Sequence, residues 1–327
     1  MTTERILVTG SAGHLGEALV RVLRAQGRDV VGIDLLESPY TTATGSIADP
    51  AFVRDCMAGV TGVLHTATLH KPHVSSHSRQ AFVDTNITGT LTLLEAAVAA
   101  GVSGFVFTSS TTAFGRALTP GEGAPATWIT EDVVPVPKNI YGATKTAAED
   151  IGELFHRDHG LPVLVLRTSR FFPELDDRPA VRNIYPDANL KANEFLYRRV
   201  DIADAVDAHL VALAQAPRIG FGRYIVSATT PFGLADLPEL HGTAPEVVAR
   251  YFPDQPDIYQ RLGWQMFPSL DRVYVNERAR TDLGWSPKYD YRHVLDCVRL
   301  GDDPRSELAR QVGAKGYHAE KHDVYTT

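Results

Sequence analysis

The sequence predicts an α/β fold, in which a doubly wound parallel sheet is followed by a smaller C-terminal lobe. Short apolar segments alternate with helical segments up to about residue 167, and this order produces a parallel sheet with helices on both faces. Right-handed crossovers between the strands then make the sheet doubly wound. Beyond Arg167 the alternation weakens, which indicates a second region with its own packing.

The first strand and the turn after it carry the most informative pattern in the chain. Arg5 to Val8 is a short apolar run, and Gly10, Gly13 and Gly16 lie between it and the helical segment Glu17 to Gln26. Glycine at these positions permits a tight turn, the approach of the backbone to a pyrophosphate, and close packing of helix on strand. The N-terminus of the helix offers N–H groups to the phosphates. The pattern predicts a Rossmann-like dinucleotide-binding site.

The second predicted strand, Val30 to Asp34, ends in an acid. Asp34 lies 18 residues after Gly16, close to the spacing of a carboxylate that binds the ribose hydroxyls of adenosine. A carboxylate there repels the additional phosphate of NADP, and Leu35 to Glu37 bring no arginine that would neutralise it. We therefore expect NAD as the cofactor.

The remaining elements follow in chain order. Strands are predicted at residues 62–68, 104–110, 161–167 and 223–227, and helices at 49–58, 80–100, 139–156 and 201–216, with a helical turn at 278–284. Loops are predicted at 35–48, 69–78 and 115–137, no clear period at 171–190, and irregular chain with short helices at 231–261. The polar tail 302–327 is expected to be an extended arm or disordered. The predicted domains are 1–170, which binds NAD, and 171–327, a smaller α/β substrate lobe with the tail.

Composition narrows the function classes. The net charge is −7 and no long basic run is present, so we expect no nucleic-acid partner. The two cysteines, Cys56 and Cys297, lie in helical segments and indicate a reducing compartment rather than a disulfide framework. No signal peptide fits before the first strand, and no apolar run reaches the ~18 residues of a membrane span. We expect a cytoplasmic protein without a membrane partner.

Three polar residues in the centre of the chain suit proton and hydride transfer. Tyr141 and Lys145 are four residues apart at the start of a predicted helix, so both side chains lie on one face. Ser110 ends a predicted strand, at the carboxyl edge where open α/β sheets place their sites. A lysine near a tyrosine favours the phenolate and is expected to lower its pKa. Together they could take a proton from a C–OH group while hydride leaves to nicotinamide.

At these residues the chain resembles the extended short-chain dehydrogenase/reductases, specifically the NAD-dependent epimerase/dehydratase family. The resemblance covers most of residues 5–290. The segments that carry it are Thr9–Gly16, 63–67, 86–95, 107–115, Tyr141–Lys145, 199–206 and Leu283–Pro287.

The resemblance implies the site residues, which remain expectations at this stage. The implied catalytic residues are Ser110, Tyr141 and Lys145. The implied cofactor-binding residues are Gly10, Ala12, Gly13, His14, Leu15, Gly16, Asp34, Ile47, Thr66, Ala67, Asn86, Tyr141 and Lys145. The expected substrate residues are His70, Arg170 and Thr111. Thr111 could also substitute for Ser110. The expected partners are a small sugar-like substrate and a second copy in a homodimer.

Four departures from the family pattern bear on the substrate. Ser46 stands where many members carry an aspartate that contacts adenine, although Ile47 remains. Thr111 and Thr112 stand where sugar-nucleotide dehydratases carry an acidic pair, so dehydration lacks its acid and base. Arg170 stands where an asparagine often holds the substrate. The segment 172–200 is also short for gripping a nucleotide, so a nucleotide-sugar substrate is in doubt.

Two clusters have alternative interpretations. The histidines at 65, 70, 73 and 77 could suggest metal ligands, but Pro72 interrupts any helix there and no acidic residue accompanies them, so we expect no metal and a loop that rims the active site. Arginines could anchor a phosphate or carboxylate, or could form ion pairs. These arginines are Arg170, Arg182, Arg198 and Arg199, and the acids are Glu174, Asp176, Asp177, Asp201 and Asp204.

Three functions follow from these observations. The preferred one is an NAD-dependent epimerase-type enzyme, which oxidises a secondary alcohol of a sugar or sugar-like substrate and returns hydride to the other face. The second is an NAD-dependent dehydrogenase or reductase of a small, non-nucleotide hydroxylated or anionic substrate, which the substrate departures favour. The third is a non-catalytic dinucleotide-sensing protein, which would not need Ser110, Tyr141 and Lys145 together.

Overall fold

The computed structural model describes residues 4–176 and 178–316. Its strands are β1 (Arg5–Thr9), β2 (Asp29–Asp34), β3 (Ala43–Thr44), β4 (Gly62–His65), β5 (Gly104–Ser110), β6 (Thr127–Ile129), β7 (Val163–Thr168), β8 (Phe221–Val226) and β9 (Arg272–Tyr274). Its α-helices are α1 (His14–Ala25), α2 (Pro50–Cys56), α3 (Arg79–Phe82), α4 (Gly89–Ala100), α5 (Ile140–His159), α6 (Pro179–Ile184), α7 (Asp187–Glu194), α8 (Ile202–Ile219), α9 (Leu237–Leu240), α10 (Ala244–Tyr251), α11 (Gln255–Leu262), α12 (Tyr291–Leu300) and α13 (Glu307–Val312).

The main sheet has the strand order β3-β2-β1-β4-β5-β7-β8, and all its pairs are parallel. The chain order reverses between β1 and β4, so the predicted doubly wound, Rossmann-like fold is confirmed. Reversal of this kind opens a crevice at the carboxyl edge of the strands. The sheet therefore places its binding site beside the turn that follows β1.

Two hydrophobic clusters cover the two faces of the sheet. Successive residues of β1 point to opposite faces: Val8 packs with α1 and α8, whereas Leu7 packs with α2, α4 and α5. This alternation is the period of two that a strand imposes. Both faces are apolar, which explains why the strands read as continuous apolar runs rather than as alternating ones.

A third cluster forms the core of a smaller lobe, built around α7 and α9–α12. The chain passes between the sheet and this lobe more than once. Strand β8 pairs with β7 in the main sheet, and β6 pairs with β9 in a separate two-stranded sheet. The division at residue 170 stays a prediction. Residues 202–226, which follow it, belong to the main sheet region: α8 packs on one face of the sheet and β8 pairs with β7.

Several predicted boundaries are corrected by tertiary contacts. The helix after β1 begins at His14 rather than Glu17, and the strand predicted at 62–68 ends at His65. It ends there because the N–H groups of Thr66 and Ala67 donate to the Thr9 hydroxyl instead of to a neighbouring strand. These two residues are thereby fixed in the crevice.

The helix predicted at 80–100 is interrupted. A π-helical segment, Val83–Thr88, separates α3 from α4. A side chain at Gly89 would bring its Cβ to 2.6 Å from the Ile47 side chain, so glycine at this junction lets Ile47 pack closely. Wide turns of this kind occur often at functional sites.

Local pattern also missed short elements. Strand β6 lies within the predicted loop 115–137, helices α6 and α7 lie largely within 171–190, and the turn at 278–284 is π-helical (Ala279–Leu283). Helix α13 lies within the tail predicted to be extended or disordered, while residues 317–327 of that tail lie outside the described residues. Its Val312 is buried against the main core.

Candidate active site

A cleft of about 1510 Å³ lies at the carboxyl edge of the main sheet. Residues at the ends of five strands line it: Gly10, Asp34, Thr66, Ser110 and Thr168. Pockets for single small ligands usually occupy ~300–1,000 Å³, so this cleft has room for a dinucleotide and a second molecule. Every predicted site residue lines the cleft except Asn86.

The glycine turn has the geometry that its sequence predicts. Gly10 has φ of 71°, in the left-handed region that favours glycine. A Cβ on Gly16 would lie 1.9 Å from the Gly10 carbonyl oxygen, so the helix could not approach the turn with a side chain there. The beginning of α1, with His14 and Leu15, is thereby exposed to the cleft.

Asp34 is held at the end of β2 by two backbone groups. Its Oδ2 accepts from the Ala12 N–H at 3.0 Å, and its Oδ1 accepts from the Leu36 N–H at 3.0 Å. The carboxylate is therefore oriented beside the glycine turn, where it could meet ribose hydroxyls. Ser46 and Ile47 line the same end of the cleft.

Asn86, expected to bind the cofactor, does not line the cleft. Its Oδ1 accepts from the Leu69 N–H at 2.9 Å and from the Thr68 hydroxyl at 3.0 Å, and its Nδ2 donates to Leu69 O at 2.9 Å and to the Thr144 hydroxyl at 3.0 Å. It is 2% exposed and is saturated by protein partners. Asn86 therefore fixes the loop after β4 onto α5 rather than facing the cleft.

Ser110, Tyr141 and Lys145 come together in the cleft from two elements. Ser110 ends β5, and α5 begins at Asn139, whose side chain caps the helix by accepting from the Gly142 N–H at 3.1 Å. The Ser110 and Tyr141 side chains are hydrogen-bonded to each other. The Lys145 Nζ donates to Thr108 O at 2.8 Å and lies 4.5 Å from the centre of the Phe107 ring.

Burial shifts the acidities of this pair in opposite directions. Desolvation raises the pKa of Tyr141 to about 12, although the hydrogen bond from Ser110 opposes the rise. Desolvation lowers the pKa of Lys145 to about 7, with the charge of Glu149 opposing the fall. The expected lowering of the tyrosine pKa by the lysine is therefore wrong, because desolvation dominates the Tyr141 pKa and the hydrogen bond that opposes it comes from Ser110 rather than from Lys145.

The expected substrate residues Thr111 and His70 both line the cleft. Thr111 begins a 3₁₀ turn directly after Ser110 and is 7% exposed. Burial holds the pKa of His70 well below its usual range, so this imidazole is neutral at neutral pH. Its ring contacts Phe172 at 5.5 Å and His73 at 4.7 Å between centroids.

The four histidines of this region do not form one cluster, because His65 lies apart from the ring contacts that join His70 to His73 and His73 to His77. His65 is buried within the sheet, where its ring nitrogens contact the Thr9 hydroxyl at 2.8 Å and the Thr90 hydroxyl at 3.0 Å. His77 is exposed beside Ser76. In the part of the chain that the structure describes, no group of three or more His, Cys, Asp or Glu is arranged to hold a metal ion.

Arg170 is engaged by acids of the protein. Its Nη1 lies 3.2 Å from Asp176 and 3.4 Å from Glu194, so the ion-pair alternative describes it better than the substrate anchor. Arg198 and Arg199 also pair with Glu194, at 2.7 and 2.9 Å. The predicted acids Asp201 and Asp204 instead cap backbone N–H groups, and Asp177 lies outside the described residues.

Two further groups of contacts were not predicted, one in the cleft around Glu174 and one behind it around Glu149. Glu174 pairs with His14 at 2.8 Å and accepts from the N–H of Lys315 at 3.0 Å, while the Lys315 side chain pairs with Glu17. Glu149 receives hydrogen bonds from Ser109 and Arg167. Of these, only the contacts of Glu149 could have been anticipated from the sequence, because Glu149 lies four residues after Lys145 on the same helix face.

Comparison with known proteins defines the family. The model of the NAD dependent epimerase/dehydratase family matches residues 6–225. The chain belongs to this family. It is thus an NAD-dependent enzyme of the extended short-chain dehydrogenase/reductase type, and the predicted resemblance and cofactor are confirmed.

Relatives cover nearly the whole chain. A sterol demethylase protein B of Methylococcus capsulatus is 31% identical over 96% of this chain and 93% of its own. A UDP-glucose 4-epimerase of Rhizobium leguminosarum bv. trifolii is 26% identical over 90% of this chain and 96% of its own. A solved short-chain dehydrogenase/reductase superfamily protein of Agrobacterium tumefaciens with bound NAD is 27% identical, covers 94% of this chain and 99% of its own, and has a TM-score of 0.64.

Proposed function

We propose that this family member catalyses reversible hydride transfer between NAD and a secondary alcohol of a sugar or sugar-like substrate, in an epimerase-type cycle. The observation that carries the proposal is the convergence of Ser110, Tyr141 and Lys145 with the glycine turn in one cleft. The UDP-glucose 4-epimerase among the relatives supports the sugar substrate.

In the proposed cycle the protein supplies proton transfer and orientation. The Tyr141 hydroxyl removes the proton of the substrate hydroxyl and later returns it, and Ser110 hydrogen-bonds the same substrate oxygen. The Lys145 ammonium stabilises the phenolate and binds the nicotinamide ribose. Bound NAD would supply the hydride acceptor and donor of the cycle. Thr111 and Thr112 offer no acid or base for eliminating water.

The cofactor residues would act along the cleft from Asp34 to Lys145. We propose that Gly10, Ala12, Gly13, His14, Leu15 and Gly16 hold the pyrophosphate, Asp34 and Ile47 the adenosine, and Thr66 and Ala67 the central part of the cofactor. Thr111 and His70 would contact the substrate.

A dehydrogenase acting on a small anionic substrate is the second candidate. Arg178, Arg198 and Arg272 line the cleft, and the Nε atoms of Arg198 and Arg272 are buried without a partner within the described residues. Guanidinium groups in such a site suit a carboxylate or phosphate. The sterol protein among the relatives also indicates that family membership does not fix the substrate.

One experiment separates the candidates. The purified protein is mixed with sugar and sugar-acid substrates, and the absorbance of reduced nicotinamide and the products are followed. An epimerase keeps its NAD and produces an epimer with no net absorbance change, whereas a dehydrogenase releases NADH in proportion to substrate. If no substrate is turned over although NAD binds, the dinucleotide-sensing alternative is favoured.

A further inference from the structure

Glu149 has no role in the proposed cycle, yet it lies one turn after Lys145 on α5 and is 1% exposed. The Ser109 hydroxyl donates to its Oε1 at 2.5 Å, and Arg167 donates from Nη2 to its Oε2 at 2.7 Å. Arg223 also pairs with it at 3.3 Å. A buried carboxylate needs such partners, and these come from β5, β7 and β8.

These contacts fix α5 against β5 at consecutive residues. Lys145 donates to Thr108 O and Glu149 accepts from Ser109, and the next residue of the strand is Ser110. The position of Ser110 relative to Tyr141 is therefore determined by two hydrogen bonds between the same helix and strand. A displacement of about 1 Å at such a site can reduce the rate by ~10².

Glu149 also supplies charge. It is the acid that opposes the lowering of the Lys145 pKa by burial. The other titratable groups around Lys145 are Tyr141 on the same helix, His65 from β4 and His70 from the loop beyond β4. Burial is the largest cause of the lowered pKa of both histidines, and the charge of Lys145 adds to it. Neither histidine offers a negative charge.

We propose that Glu149 is a positioning residue of the catalytic set, which holds Lys145 and Ser110 in register and supplies a negative charge that stabilises the Lys145 ammonium. The inference rests on the proposed function, because it gives Lys145 the nicotinamide ribose and Ser110 the substrate. Arg167 and Arg223 hold the carboxylate in place.

The test measures NADH binding to the free protein as a function of pH, by the fluorescence of the reduced nicotinamide. Binding through the Lys145 ammonium is lost as pH rises through the lysine pKa. Removing a negative charge lowers that pKa, so Glu149→Gln should move the loss of binding to lower pH by about 1 unit. The same shift should appear in the pH profile of turnover.

Glu153→Gln is the matched control. Glu153 lies on the same helix and pairs with Arg223 at 2.8 Å, but it is 43% exposed and has no resolved influence on Lys145. It should leave the pH profile unchanged. Ser109→Ala separates register from charge, because it removes the hydrogen bond while keeping the carboxylate. It should lower turnover by about tenfold with little change in the pH profile.

Glu149→Gln leaves the buried Arg167 guanidinium without its carboxylate and could unfold, so Glu149→Gln/Arg167→Met provides a second variant in which both members of that ion pair are removed. It should fold and show a downward shift that is smaller, because the Arg167 change also removes a positive charge. A folded Glu149 variant with the pH profile of wild type and Glu153→Gln would overturn the proposal. NADH binding reports on it even if hydride transfer to a sugar is disproved.

Discussion

Burial is the largest influence on the pKa values of Tyr141 and Lys145, the proposed catalytic pair. Tyr141 is 7% exposed and Lys145 is 2% exposed, and in both cases loss of solvent is the largest cause of the pKa shift. A tyrosine with a pKa of about 12 is protonated at neutral pH and therefore cannot accept a proton from the substrate. Tyr141 must therefore be activated when substrate and cofactor change its surroundings.

Replacing Tyr141 by phenylalanine tests this role. Tyr141→Phe keeps the ring in its buried site but removes the hydroxyl that we propose transfers the proton. Turnover should fall by a factor of about 10²–10⁴. Unfolding temperature and NADH affinity, measured on the same preparation, should stay close to wild type. Near-full activity would remove Tyr141 from the mechanism.

Arg170 lines the cleft and is also held by two acids of the protein. It joins Asp176 on its own loop to Glu194 at the end of α7, and its side chain is 28% exposed. Arg170→Ala should reduce the free energy of unfolding by about 1–3 kcal/mol, because two buried carboxylates each lose a partner. The KM for substrate should change little.

Arg178→Ala is the matched control, since Arg178 pairs with the same Asp176 at 3.5 Å but is 58% exposed. It should cost less than about 1 kcal/mol. A raised KM with unchanged stability in Arg170→Ala would instead restore Arg170 as a substrate anchor.

At the scale of elements, the glycine turn fixes the distance between β1 and α1. Gly16→Ala would force a Cβ to within 1.9 Å of the Gly10 carbonyl oxygen, so α1 must shift away from the turn. We expect loss of NADH binding and a lower unfolding temperature. Gly121→Ala, where an added Cβ meets nothing within 4 Å, should change neither. Normal NADH affinity in Gly16→Ala would argue against phosphate binding at this turn.

Helix α5 shows how one element joins several parts of the site. Its cap at Asn139 sets where the helix begins, Tyr141 and Lys145 follow within two turns, and Glu149 bonds β5 and β7. Thr144 on the same helix accepts a hydrogen bond from the Asn86 side chain, and Asn86 also bonds Leu69 in the loop that carries His70. A change in the tilt of α5 would therefore move both the catalytic pair and the rim of the cleft.

At the scale of the whole molecule, the C-terminal part of the chain returns to the cofactor end of the cleft. Helix α13 packs on α1 and α8, and Lys315 and Gly316 line the cleft. Lys315 joins Glu17 on α1 to Glu174 on the loop after β7. This contact connects the first and last parts of the described chain across the site.

Lys315→Met tests whether this contact retains the cofactor. The variant loses the ion pair with Glu17, so NADH should dissociate several-fold faster, a loss within the ~1 kcal/mol range of partly exposed ion pairs. Stopped-flow displacement measures the rate. Lys288→Met, at a lysine that does not line the cleft, is the control. Equal dissociation rates in the two variants would show that Lys315 does not retain the cofactor.

The assembly of the protein is also a whole-molecule property. The predicted homodimer stays a prediction, and sedimentation of the purified protein would test it. Within residues 4–176 and 178–316, no helix has the length and apolar character that a membrane span requires.

The sequence by itself determined the features that depend on local pattern. Glycine spacing specified the turn after β1. Gly10 adopts φ of 71° without strain, and Gly16 lets α1 approach the Gly10 carbonyl more closely than any side chain would allow. Alternating strands and helices specified the parallel sheet, and Ser110, Tyr141 and Lys145 followed from their places at a strand end and a helix start. Each signal lies within a few residues of the position it describes.

The tertiary structure decided what depends on distant partners. The Asn86 side chain is hydrogen-bonded to Leu69 and Thr144 and does not line the cleft. Arg170 forms an ion pair with Glu194, 24 residues away. Burial raised the pKa of Tyr141, although the adjacent lysine suggested the opposite. Hydrogen-bond saturation, charge pairing and desolvation are sums over neighbours in space, and the chain order does not specify which neighbours those are.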